Sequence, residues 1–189
     1  MDSLNIQLFY VPSVAFILII GCYFYYSKKV DDKKSFNAFF WNVALFAYLF
    51  NLIWEVSQGF LYEGYIYDLD HIAFCALATV ADVFMVFLLY FAYSLLYKNV
   101  YWFRQLNFTK AFFLILIGGL GAVFGETKHL AAGNWAYADS MPLLPIVNVG
   151  FTPVLQFMIL PLLIYWVSFE RQKAITRTEG SASGHLIEK

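Results

Sequence analysis

Polar and charged positions in this chain gather in short intervals, and five long apolar stretches fill the space between them. A membrane-spanning helix needs about 20 mostly apolar residues. The pattern therefore predicts helices over residues 9–27, 38–62, 72–97, 111–131 and 145–169. The fourth stretch contains Gly118, Gly119, Gly121 and Gly125, and the fifth contains Pro153 and Pro161. Membrane helices tolerate both residue types where neighbours re-satisfy the backbone, and small residues let helices approach closely. Residues 1–170 read as one all-α integral membrane bundle of five transmembrane helices, and 171–189 as a polar, flexible tail.

Composition agrees with a bilayer as solvent. Of the 189 residues, 61% are hydrophobic and only 13% charged, against about 25% in a soluble domain. Eleven of the twelve Lys and Arg fall on one side of the predicted bundle. Lys28, Lys29, Lys33 and Lys34 lie in the first connection, and Lys98, Arg104 and Lys110 in the third. Arg171, Lys173, Arg177 and Lys189 lie in the tail, and only Lys128 falls on the opposite side. The positive-inside rule then places the C-terminus in the cytoplasm and the N-terminus outside. The first apolar run has no basic segment before it and is expected to stay as a membrane helix, not a cleaved signal. Cys22 and Cys75 both sit in apolar runs and read as small hydrophobes, not a disulfide framework. No basic cluster interleaved with aromatics suggests nucleic acid.

Polar residues recur at helical spacing in the half of the bundle expected to be outermost. Asn51, Glu55, Gln58 and Tyr62 are spaced 4, 3, 4, and His71, Cys75, Thr79 and Asp82 are spaced 4, 4, 3. Gly118, Ala122, Glu126 and His129 form a third stripe, and Asn148, Thr152 and Gln156 a fourth. Such spacings put each set on one helical face. Glu55 lies roughly 10 Å below the end of its helix and Asp82 roughly 15 Å from the start of its own, at 1.5 Å rise per residue. An ionised Asp at a helix centre costs about 3 kcal/mol. Glu55 and Asp82 must therefore be paired, hydrogen-bonded or protonated, and a neutral buried carboxyl is a ready proton donor. The bland alternative is that these groups only hold helices together.

Trp135 and Tyr137, in Gly133-Asn134-Trp135-Ala136-Tyr137, are either interfacial belt aromatics or a lid over a polar pocket. Glu126 and His129 stand at i, i+3, but no zinc-type spacing of His, Cys or Glu occurs, so no metal is expected. No redox or phosphate-cradling motif is present either, and no cofactor is expected.

Two resemblances add to this reading. Trp54-Glu55-Val56-Ser57-Gln58, Gly133-Asn134-Trp135-Ala136-Tyr137, Met141-Pro142 and Pro153-Val154-Leu155-Gln156 resemble segments of a group of small bacterial integral membrane proteins. That likeness implies one site built from Glu55, Gln58, Asp82, Glu126, Trp135, Tyr137 and Gln156, in a plasma (inner) membrane, but implies no chemistry. Asn51-Leu52-Ile53-Trp54-Glu55 resembles the Asn-x-x-Trp-Glu segment of the membrane-embedded meroterpenoid cyclases of fungi. Those are helical bundles of about seven helices that protonate a polyprenyl chain with buried carboxyls. The match covers Asn51, Trp54 and Glu55. The second acid of that family lies in its last helix, where this chain has Gln156, so Asp82 would have to substitute.

The combined expectation is a cofactor-independent enzyme acting on an isoprenoid- or sterol-like lipid by protonation, a terpene cyclase or isomerase. Glu55, Asp82 and Glu126 are its candidate catalytic groups, and Asn51, Trp54, Gln58, Trp135, Tyr137, Asn148 and Gln156 its candidate binding residues. A proton-linked transporter and a non-catalytic lipid-binding subunit stay open, as does a homo-oligomer. The expected topology is checked by a reporter fused after Lys189. It should be active only as a cytoplasmic reporter, and activity confined to the outside would overturn the assignment.

Overall fold

The computed structural model describes residues 10–187, with side chains described as far as Ala174. Five helices make up the molecule: α1 Tyr10–Ser27, α2 Lys33–Gln58, α3 Leu69–Leu96, α4 Phe108–Ala131 and α5 Phe151–Ile187. Short 3₁₀ turns at Gly59–Leu61 and Trp102–Gln105 follow α2 and α3. All five helices contain a segment long and apolar enough to cross a bilayer, and the protein is a multi-pass membrane protein.

Polar caps set the helix starts. Asp32, Asp68 and Asn107 each accept a hydrogen bond of 2.9 Å from the backbone N–H three residues on. Each thereby satisfies one of the free donors at a helix N-terminus. This is why α2, α3 and α4 begin three to five residues before their apolar stretches do. The fifth helix departs the other way, starting at Phe151 and not at residue 145. Leu143 and Gly150 pair across a tight turn in which Ile146 and Asn148 take positive φ of 77° and 52°. Hydropathy cannot tell such an apolar turn from a helix. At its far end α5 stays helical to Ile187, through the segment whose composition predicts a flexible tail. Glu170, Arg171, Gln172, Lys173 and Ala174 are good helix formers, and Lys173 pairs with Glu170 at 2.7 Å. Of the charge count, Arg177 and Lys189 lie outside the described side chains.

The helix α2 packs between α3 and α5, α4 packs on α5, and α1 lies on α3. Successive helices run in opposite directions, so connections collect on two faces. On one, Tyr101 bonds the Asp32 carbonyl and Gln172 bonds Ser35. This face carries nearly all the described Lys and Arg. On the other, Glu63 N–H bonds Ala136 O and Ala138 N–H bonds Leu61 O, both at 2.9 Å. We call these the basic face and the lid face.

The half of the bundle toward the basic face is packed with aromatics. Phe36, Tyr90, Phe91, Trp102 and Tyr165 are all buried. Their polar ends are satisfied by backbone: Tyr90 OH to Val100 O, Trp102 Nε1 to Tyr90 O and Tyr165 OH to Val86 O. Trp102 comes from the α3–α4 connection, which therefore seals the bundle and does not merely join two helices.

The α4–α5 contact rests on a backbone defect. Pro161 has no N–H, so the carbonyl of Phe157, four residues earlier, lacks its helical donor. Gly118 of α4 lies against that oxygen, and a Cβ there would collide with it. The neighbouring Gly119 would bring a Cβ to 3.0 Å from Met158 Cγ. The two glycines thus let α4 approach close enough for Cα–H groups to cover the freed carbonyl. Gly118→Ala should lower stability by about 1–3 kcal/mol, the cost of overpacking a tight contact. Gly125→Ala, where a Cβ meets nothing within 4 Å, should be neutral or stabilising. Thermal unfolding in detergent compares them, and equal tolerance of both would contradict this packing.

Candidate functional site

Toward the lid face, α2, α3 and α5 bring their polar stripes together. Asn51, Gln58 and Gln156 are 0%, 5% and 1% exposed, so each amide must find its partners inside the protein. They find one another. The Gln156 amide nitrogen donates to Asn51 Oδ1 at 2.9 Å and to Asp82 Oδ2 at 3.3 Å. Its oxygen accepts from Gln58 Nε2 at 3.2 Å, and the same Gln58 nitrogen donates to Glu55 Oε1 at 3.1 Å. Trp54 Nε1 donates to Gln58 Oε1 at 3.2 Å, and Asn51 Nδ2 to the Ala47 carbonyl at 2.7 Å.

The two ends of this chain of bonds fix its polarity. An indole N–H can only donate, so Gln58 must turn its oxygen to Trp54 and its nitrogen inward. A backbone carbonyl can only accept, so Asn51 must turn its nitrogen to Ala47 and its oxygen to Gln156. Both constraints give the same orientation for Gln156. As a result, both carboxyls face amide N–H donors, Glu55 that of Gln58 and Asp82 that of Gln156.

Glu126 of α4 belongs to a second layer. Its Oε2 accepts from Tyr137 OH at 2.5 Å and from Trp135 Nε1 at 3.2 Å. Trp135 stacks on His129, with centroids 4.3 Å apart and planes at 16°. Tyr137 pairs with Tyr62 through backbone and ring, and its ring faces Gly150, where a Cβ would come within 3.1 Å. The segment 133–142 is therefore a lid laced to the end of α2. Tyr62 packs against the lid, its ring centroid 6.4 Å from that of Trp135 and 5.6 Å from that of Tyr137. Its phenol is held well above the ordinary tyrosine range, first by burial and then by Glu126, Glu55, Tyr137 and Asp82. Burial, followed by its bond to Glu126, likewise raises the Tyr137 phenol.

The structure brings together Asn51, Trp54, Glu55, Gln58, Asp82 and Gln156 in one layer, and Glu126, Trp135 and Tyr137 in the lid above. Asn148 is the exception: it is exposed, in the turn before α5, because the helix on which its spacing was counted starts later. Thr152 turns to Met141 Sδ, 3.5 Å away. On α3, Thr79 bonds its own helix at Cys75 O, and His71 sits 2.8 Å from the cap Asp68. Only Asp82 of that stripe enters the network. Tyr62 is the site residue missing from the expected set, although the 4, 3, 4 spacing on α2 runs directly to it.

The ion pairs between described residues, His71–Asp68 and Lys173–Glu170, lie elsewhere. Among the described residues, no group of three or more His, Cys, Asp or Glu is placed to hold a metal ion. Beside the network, between α2 and α5, runs an apolar groove of about 230 Å³, lined by Phe50, Ile53, Trp54, Ser57, Leu160 and Leu163. Comparison with protein-family models, curated proteins and solved structures finds no match to this chain.

Removing the Tyr137 hydroxyl tests the lid. Tyr137→Phe should release Glu126 and cost about 1 kcal/mol or more of local stability, the scale of one buried hydrogen bond. Hydrogen exchange of the amides of Glu63, Ala138 and Met141, which donate to Ala136 O, Leu61 O and Ala138 O, should speed up by about fivefold or more, the factor that 1 kcal/mol brings. Unchanged exchange would show that the lid does not depend on this bond.

Proposed function

We propose that the protein is a membrane-embedded enzyme that protonates an apolar, isoprenoid-like lipid with Glu55. The observation that carries the reading is the joining of Glu55 and Asp82 through Gln58 and Gln156, inside the bundle and beside a groove open to lipid. Gln58 donates to Glu55 Oε1, and the proton that Glu55 transfers sits on its other oxygen. Transfer of that proton to an alkene carbon forms a C–H bond and leaves a carbocation on the neighbouring carbon. Faces of Trp54, Tyr62, Trp135 and Tyr137 stabilise the cation. Asp82, ionised at the start, takes a proton from an adjacent carbon and re-forms a double bond, and the pair resets when that proton passes back from Asp82 to Glu55. The sequence is a redox-neutral isomerisation or cyclisation. Glu126 anchors the lid that excludes water. The plasma membrane, with the lid face outward, is the setting that the charge pattern and the bacterial resemblance favour.

A proton-linked carrier fits less well. It would need ionisable groups along both halves of the bundle, whereas Glu55, Asp82 and Glu126 all lie toward the lid face and the buried polar residues Asn42, Ser94 and Ser168 of the other half carry no charge. Glu55→Gln should insert and fold normally yet lose about 100-fold or more in turnover, the low end for removing general acid catalysis. The assay is conversion of polyprenyl substrates per folded molecule. Wild-type turnover in this variant would leave Glu55 as helix-packing glue.

A further inference from the structure

We infer that the groove between α2 and α5 is a binding site for a linear hydrocarbon chain, entered sideways from the bilayer and ending at Trp54. The identity of the chain's reactive end rests on the protonation reading; the site itself does not.

The groove's position decides its occupant. Every lining residue belongs to a membrane-spanning segment. Ile53 is 64% and Leu163 37% exposed, so the groove opens outward from the bundle at membrane depth. In the bilayer the groove therefore faces lipid hydrocarbon.

Helix geometry ties the groove to the carboxyl network. At about 100° per residue, Ile53, Ser57 and Phe50 span about 60° of α2, Trp54 lies about 40° further, and Gln58, Asn51 and Glu55 cover the next arc. Trp54 is therefore the boundary. Its ring lines the groove and its N–H bonds Gln58. On α5, Gln156, Leu160 and Leu163 stand at i, i+4 and i+7, a single stripe. The stripe carrying the central amide of the network thus continues as the wall of the groove, and a chain lying along it points one end at the carboxyls.

Size selects among apolar lipids. About 230 Å³ is below the roughly 300–1,000 Å³ of pockets that enclose a whole drug-sized ligand. The groove takes a segment of a flexible chain and not a fused ring system. Between the isoprenoid and sterol classes, it selects the linear isoprenoid.

Photolabelling of the full chain in nanodiscs tests this, with a geranylgeraniol analogue carrying a terminal diazirine. Mass spectrometry should place adducts on residues 50–57 and 160–163 at fivefold or more above the lipid-facing Ile17 and Leu120. Excess geranylgeraniol should remove them, and cholesterol should not. Ser57→Trp and Leu163→Trp, both at outward positions, should each fill the groove and cut its labelling by fivefold or more, with Ile17 and Leu120 unchanged. Even labelling of all lipid-facing positions, insensitivity to both Trp variants, or equal competition by cholesterol would overturn the proposal. Glu55→Gln should label like wild type. Intact groove labelling with undiminished turnover in Glu55→Gln would sink the acid mechanism alone.

Discussion

The amide of Gln156 is the interaction on which the rest of this structure depends. It stands on α5 and bonds Asn51 and Gln58 of α2 and Asp82 of α3. In hydrocarbon an unpaired amide costs several kcal/mol, so three buried amides either form a complete set or exclude one another. Here Trp54 at one end and the Ala47 carbonyl at the other dictate a single direction for every donor. The register of α2 against α3 and α5 follows from that set, as does the placing of two carboxyls on either side of it.

The two halves of the bundle divide the labour. Toward the basic face, aromatic rings fill much of the interior and turn their polar ends to backbone carbonyls. Toward the lid face, polar side chains bond one another under a loop whose own anchor is a third carboxyl, Glu126. The glycine contact at Phe157 connects the halves. It holds α4 against α5 and so sets where Glu126, two turns beyond Gly118, emerges beneath Trp135 and Tyr137. The three carboxyls of the network and the lid, Glu55, Asp82 and Glu126, thus all lie toward the lid face.

Much of this was legible in the sequence, for reasons that differ by element. Five apolar runs separated by polar intervals give the five helices, because a run of about 20 apolar residues fits a membrane helix and is too long for a membrane strand. The stripes on α2 and α3 could be read because helical spacing alone decides which residues share a face. Helix starts were misplaced because hydropathy ignores polar first turns, although Asp32, Asp68 and Asn107 carried the capping signal. Asn148 was misassigned because the run from Leu143 to Val149 is as apolar as a helix, and positive φ at Ile146 and Asn148 leaves no mark in composition. The partners of Gln156 could not be read at all. Spacing gives a face, but which faces meet depends on packing between α2, α3 and α5, and a single sequence carries no record of it.

The claim that Gln156 couples the helices through its amide is tested most directly by a double-mutant cycle in detergent, with Gln58→Leu, Gln156→Leu and the pair. Hydrogen-bonded side chains between membrane helices couple by about 0.6 kcal/mol on average and up to about 1.7. This account predicts a coupling of about 1 kcal/mol, the second substitution costing less once the first has been made. Strict additivity of the two single substitutions would mean that the amides do not depend on each other, and the network would not be the organising interaction of the fold.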